Sequence, residues 1–305
     1  MTIAATRLGT EPVIRTFGLT KHYGRTVALA DLDLEIPPGT VFGYLGPNGA
    51  GKTTTIRVLM GLLRPTRGRA EIFGLDAQRD RGAIHRRAGY VPGEFVAYPD
   101  LLAEQYLRYV ASLRGGVVWS DVELLAKRLD LDFTGRIGAM SHGNRQKVGL
   151  IQGFMHHPEL LILDEPSIGL DPLMQREFES IVREAHADGR TVFLSSHFLH
   201  EVEELADVVG ILRRGRMVVV ESVAALKAKA VRRLDLMFTR APPVSELRRV
   251  RGVSDIQVEG STARVVVEGS MEELLKVAAP HGIRNVVTHE VDLEEIFLGY
   301  YGEGS

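Results

Sequence analysis

The chain has 305 residues, with 37 Lys plus Arg against 39 Asp plus Glu and a formal net charge of -2. That balance argues against a nucleic-acid partner, since neutralising phosphates needs a basic excess. With no cysteine in the sequence, disulfides, thiolate chemistry and cysteine-held zinc are excluded, and a reducing compartment fits.

In chain order, residues 1–12 read as a loose tail. Val13 to Thr16 and Leu32 to Ile36 alternate apolar and polar residues, which predicts half-buried strands in an antiparallel edge sheet. Thr40 to Leu45 is a short apolar run, as in a buried parallel strand. Lys52 to Leu63 carries Ile56, Leu59, Met60 and Leu63 at helical spacing, with Pro65 as the stop. Leu101 to Arg114 and Val122 to Leu131 predict amphipathic helices of a helical insertion at about 93–156. Arg145 to Met155 predicts a helix, Leu160 to Leu163 a buried strand, Gln175 to Ala187 a helix and Thr191 to Leu194 a further strand. Strands alternating with helices imply an α/β sheet that is mostly parallel. From Val231 the order changes to strand, helix, hairpin at Gly260-Ser261, helix, strand, and a last helix at Leu293 to Tyr300. That order predicts a small α+β domain of ferredoxin-like type over 231–305, after a main domain over 13–225. No segment approaches the roughly 18 apolar residues of a membrane span. Met1 to Gly9 lacks the features of a signal peptide. The expectation is a cytoplasmic protein whose membrane work, if any, needs another polypeptide.

Gly46-Pro47-Asn48-Gly49-Ala50-Gly51-Lys52-Thr53, with Thr54 next, fits G-x-x-x-x-G-K-[ST] between an apolar strand and a helix. Glycines let backbone N–H groups turn inward onto phosphate, and the helix N-terminus adds positive potential. Lys52 then brings charge to the β- and γ-oxygens of ATP, and the Thr53 hydroxyl can hold Mg²⁺. Leu160 to Leu163 delivers Asp164 and Glu165 to the carboxyl end of a strand, where open α/β sheets place ligands. Asp164 can hold magnesium through water, and Glu165 is a candidate base for the attacking water. Taken alone, the acid pair reads equally as a helix cap ahead of Pro166. His197 can orient that water, or can cap and pack. Ser141 and Gly143 can form an anion site at a helix start, or Ser141 can be an ordinary N-cap. Tyr23 can stack on a base or simply pack.

Taken in this order, these pieces resemble the ATPase subunit of an ABC transporter over about residues 13 to 220. Tyr23 resembles the base-stacking aromatic, and Gly46 to Thr54 resembles Walker A. Met140 to Asn144 resembles a degenerate family signature, Leu160 to Glu165 Walker B with the catalytic glutamate, Leu170-Asp171 the end of the D-loop, and His197 the switch histidine. The resemblance implies a P-loop fold with an antiparallel β edge and a helical subdomain. It also implies ATP and Mg²⁺ as ligands. Ser141 and Gly143 become contacts to ATP held by a second, head-to-tail copy or a paired ATPase subunit. A separate integral membrane permease is implied, with this chain peripheral on the inner face of the membrane. The C-terminal domain and Ser141 to Lys147 are most similar to ATPases of the ABC-2 export class, which moves drugs and antibiotics. Other readings are a soluble non-transport ABC ATPase and a weakly hydrolysing regulator. Three motifs depart from the family. His142 and Asn144 replace Gly and Gln of the signature, Gly93 with Glu94 stands where a Gln is usual, and Ile168 replaces a D-loop Ser.

Overall fold

The computed structural model describes residues 11–229, 231–268 and 271–289. The chain divides into two compact units between Glu221 and Ser222.

In the first unit, β1 (Ile14–Tyr23) and β2 (Thr26–Ile36) form an antiparallel hairpin about Gly24-Arg25. β3 (Val41–Leu45) leads into α1 (Lys52–Leu59). α1 ends earlier than the apolar spacing predicts, and Gly61 is the reason. At φ 64° it adopts the left-handed conformation, with Gly61 N–H donating to Val58 O and Leu62 N–H to Arg57 O. That is a Schellman cap, which stops the helix before Pro65 can. β4 (Arg67–Ile72) pairs antiparallel with β1, and β5 (Leu75–Asp76) pairs with β4. α2 (Arg81–Arg87) and β6 (Ala88–Val91) follow. The helical insertion holds α3 (Ala103–Arg114), α4 (Trp119–Arg128) and α5 (His142–Phe154). α5 starts three residues before its apolar spacing suggests, because Ser141 caps it by accepting from Asn144 N–H at 3.2 Å.

Then come β7 (Leu160–Asp164), α6 (Pro172–Ala187), β8 (Thr191–Ser196), α7 (Leu199–Leu205), β9 (Val208–Arg213) and β10 (Arg216–Ser222). Strands order as β10-β9-β3-β8-β7-β6, and β9, β3, β8, β7 and β6 run parallel. Alternation along these strands feeds two cores. Val41, Leu161, Leu163, Val192 and Leu194 face the insertion and α6. Phe42, Tyr44, Leu160, Ile162 and Phe193 face α1 and the antiparallel sheet. Arg128 of α4 reaches α6, with Nη1 2.6 Å from Glu184. Burying both faces of the parallel strands explains why they read as continuous apolar runs.

The second unit begins with α8 (Val223–Lys229). Its sheet contains β11 (Val231–Phe238), β12 (Val253–Glu259), β13 (Thr262–Glu268) and β14 (Ile283–His289), with α9 (Val244–Leu247) and α10 (Glu272–Ala278) between strands. The order is β12-β13-β11-β14, antiparallel throughout. Leu234, Leu236 and Phe238 form its core with Leu247, Leu274 and Ala278. The helix expected at Leu293 to Tyr300 lies outside the described residues.

Candidate nucleotide site

The turn from β3 into α1 is built for close approach. Gly51 sits at φ 115°, and a Cβ there would lie 2.6 Å from Ala28 O of β2. Only glycine fits both demands. Pro47, Asn48 and Gly49 are exposed, whereas Ala50 and Lys52 are buried. Ala50 N–H donates to Pro47 O at 3.0 Å, which tightens the loop ahead of the helix. Lys52 Nζ donates to Gly46 O at 2.5 Å and pairs with Glu165 Oε1 at 3.1 Å. Gly46, Lys52 and Glu165 are thus brought together, with Thr53 and Thr54 on the first turn of α1.

Asp164 ends β7 and is 2% exposed. Burial pushes its carboxyl above the usual range, while hydrogen bonds from the Ser195 and Thr53 hydroxyls oppose that rise. Ser195 Oγ donates to Asp164 Oδ1 at 2.6 Å. Glu165 carries φ 50°, which is uncommon for a residue with a side chain. Its N–H donates to Ser195 O at 3.0 Å. Its Oε2 lies 2.6 Å from His197 Nδ1 and accepts from His197 N–H at 3.2 Å. One carboxylate therefore spans Lys52 on one oxygen and His197 on the other.

Hard oxygens from Thr53 and Asp164 suit magnesium. Among the described residues no cluster of three or more His, Asp or Glu could hold an ion by itself. A cation that arrives with phosphates and keeps most of its waters matches such a donor set.

Ser141 caps α5 and is exposed, while Gly143 in its first turn lies against the loop after Glu165. A Cβ on Gly143 would lie 2.3 Å from Gly169 O, and one on Gly169 would lie 2.5 Å from His142 Cδ2. Gln146 of α5 donates to Pro166 O at 3.1 Å. Tyr23 ends β1 and is 48% exposed, with Lys21 Nζ 5.3 Å from its ring centre. Its hairpin is the one that lays Ala28 against Gly51. Gly93 sits beside the acid pair, where a Cβ would be 3.2 Å from Asp164 O. Glu94 is exposed, and Phe95 is buried against Gly149 and edge-on to Tyr106 with ring centres 5.8 Å apart. Ser195 and Gln146 carry no role in the sequence reading. Ser195 lies two residues before His197 in the sequence, but only the pairing of β7 with β8 places it opposite Asp164.

Residues 29–168 match the family model described as ABC transporter. A bacitracin transport ATP-binding protein of Enterococcus faecalis is 33% identical over 301 residues, covering 96% of this chain and 98% of that relative. This chain belongs to the ABC transporter ATP-binding protein family. It is an ATP-binding ATPase with the P-loop fold. A daunorubicin resistance ATP-binding protein of Streptomyces coeruleorubidus is 33% identical, covering 96% of the chain and 97% of the relative. A fluoroquinolones export ATP-binding protein of Mycobacterium tuberculosis is 35% identical, covering 98% and 96%. Among solved structures, an ATP-binding subunit of an ABC transporter matches with TM-score 0.65 at 29% identity, over 70% of this chain and 92% of that one. A dimeric cassette bound to ADP and phosphate shares the fold, with TM-score 0.64 at 20% identity over 69% and 98%. Among the described residues of this cassette, no helix is long and apolar enough to cross a membrane.

Proposed function

We propose that this ATPase drives an ABC-2 type exporter of drugs or other amphipathic compounds. The observation that carries the chemistry is Glu165 held between Lys52 and His197. Lys52 balances charge on the β- and γ-phosphates. Glu165 takes a proton from the attacking water, and His197 orients Glu165 and that water. Thr53 and Asp164 would hold Mg²⁺, which neutralises phosphate charge when bound. Tyr23 stacks on the adenine. Gly46, Pro47, Asn48, Gly49, Ala50, Gly51 and Thr54 wrap the phosphates.

In the same reading, the chain works as a head-to-tail homodimer, or beside a paired ATPase subunit. Ser141 and Gly143 of one copy complete the site of the other. A separate integral membrane permease carries the substrate, and the cassette rests on the inner face of the membrane. The relatives' transport and resistance roles support the exporter class. The domain boundaries at 13–225 and 231–305 belong to this reading too, with the second domain as an accessory.

Phosphate release from the purified chain tests the chemistry. The expected result is magnesium-dependent turnover that Lys52→Ala and Glu165→Gln abolish, with an ATP-dependent dimer accumulating in Glu165→Gln. Turnover equal to the Lys52→Ala control would overturn the ATPase mechanism, and a chain that stays monomeric with ATP would overturn the shared site.

A further inference from the structure

Glu201 lies in the first turn of α7, four residues after His197. Its side chain is 6% exposed, and neither carboxylate oxygen has a hydrogen bond of normal geometry. A buried carboxyl without well-formed hydrogen bonds is costly and calls for an explanation. α7 is packed tightly against the sheet. Val202 packs so closely on β3 that a Cβ at Gly43 would lie 2.2 Å from Val202 Cγ1.

Two hydroxyls face Glu201. Those of Ser196 and Ser167 are close enough to favour its charged form, while Glu165 and Glu179 oppose that form. Glu179 projects from α6, where Arg183 pairs with it at 3.3 Å. Burial is the largest influence and pushes the carboxyl up to about 7. Ser196 Oγ already accepts from Phe198 N–H at 2.9 Å, so its own proton is available to Glu201. Ser167 is likewise buried. These serines are not equivalent to others in the fold. Ser196 ends β8 directly before His197, and Ser167 lies two residues after Glu165, at the start of the turn that carries Gly169.

We propose that Glu201 is a positioning residue for hydrolysis, drawing the Ser196 and Ser167 hydroxyls toward one carboxyl and so fixing His197 relative to Glu165. It touches neither nucleotide nor water. Its effect passes through the two segments that do, and it rests on the reading of this site as the site of ATP hydrolysis. Either oxygen can accept from one serine. A glutamine could accept from one hydroxyl and donate to the other, whereas leucine could do neither.

Steady-state ATP hydrolysis by the full chain, with kcat and KM separated, tests this. Glu201→Gln should stay within about threefold of wild-type kcat, while Glu201→Leu and the double variant Ser167→Ala/Ser196→Ala should each lose about tenfold in kcat, with KM for ATP within twofold. Thermal unfolding of each variant confirms that it folds, and the serine pair gives the answer should Glu201→Leu fail. Wild-type kcat in the double serine variant would overturn the proposal, as would equal losses in Gln and Leu or a loss confined to KM. A wild-type chain no faster than Lys52→Ala would instead overturn the hydrolytic reading, and this inference with it.

Discussion

Lys52 Nζ and Glu165 Oε1 stand 3.1 Å apart with their side chains 6% and 12% exposed, so in the proposed mechanism the cation that meets phosphate is first held by the carboxylate that activates water. Triphosphate must compete with Glu165 for Lys52. Replacing Glu165 with Gln removes the competitor and the base together. Turnover should fall by about 10² to 10⁴, the span of general-base contributions. Affinity for ATP should rise several-fold, as read by titration with a fluorescent analogue. Unchanged affinity would show that the pair opens without cost.

The backbone at Glu165 offers a separate test. At φ 50° any residue with a Cβ is strained, and glycine is not. Glu165→Ala and Glu165→Gly both remove the ion pair and the His197 bond. The glycine variant should nonetheless be more stable than the alanine one by about 1 kcal/mol. Urea unfolding midpoints of the two proteins measure the difference, and a higher midpoint for alanine would refute the strain.

Gly143 and Gly169 meet where α5 touches the loop after Glu165. An added methyl at Gly143 would collide with a backbone oxygen 2.3 Å away, which cannot rotate aside. Gly143→Ala should cost about 1–3 kcal/mol, as other overpacked sites do. Ser141→Ala, which removes only a cap, should cost about 1 kcal/mol. Thermal melts of both variants should preserve that order.

Two groups, one buried and one half-buried, give stability opposite slopes with pH. Glu201 is pushed up to about 7 from an ordinary 4.5. Its contribution is present below the unfolded value and is lost as pH rises through 7, at most about 3 kcal/mol at 1.36 kcal/mol per unit. His156 is held down to about 4, chiefly by burial and then by Arg114, from an ordinary 6.5. Its contribution is present above 6.5 and is lost as pH falls toward 4. In Glu201→Gln the first slope vanishes, so stability between pH 4.5 and 7 should rise more steeply with pH than in the wild type. Chemical denaturation across that range checks the sign.

The parallel sheet was legible because both of its faces are buried, which turns strands such as Leu160 to Leu163 into unbroken apolar runs. That Lys52 opens a helix and Asp164 ends a buried strand was legible because glycines and an unbroken apolar run flank them. β4 and β5 were not read, since Arg67-Gly68-Arg69 looks like loop and becomes strand only by pairing with β1. Ser195 and Glu201 were invisible for a related reason. Their roles depend on which strand lies beside which, and a serine or glutamate next to its chain neighbours holds no trace of that.

Gly93 leaves the segment leading from β6 into the helical insertion with no polar arm at Asp164, and Phe95 is the next side chain to be buried. Its ring sits among Gly149 and Tyr106, and the joint they form carries no charge. Salt has little to screen there. Apolar contact weakens on cooling. A link between nucleotide and insertion that runs through this joint will respond to temperature far more than to ionic strength, and a transporter built on it should slow in the cold ahead of its own chemistry.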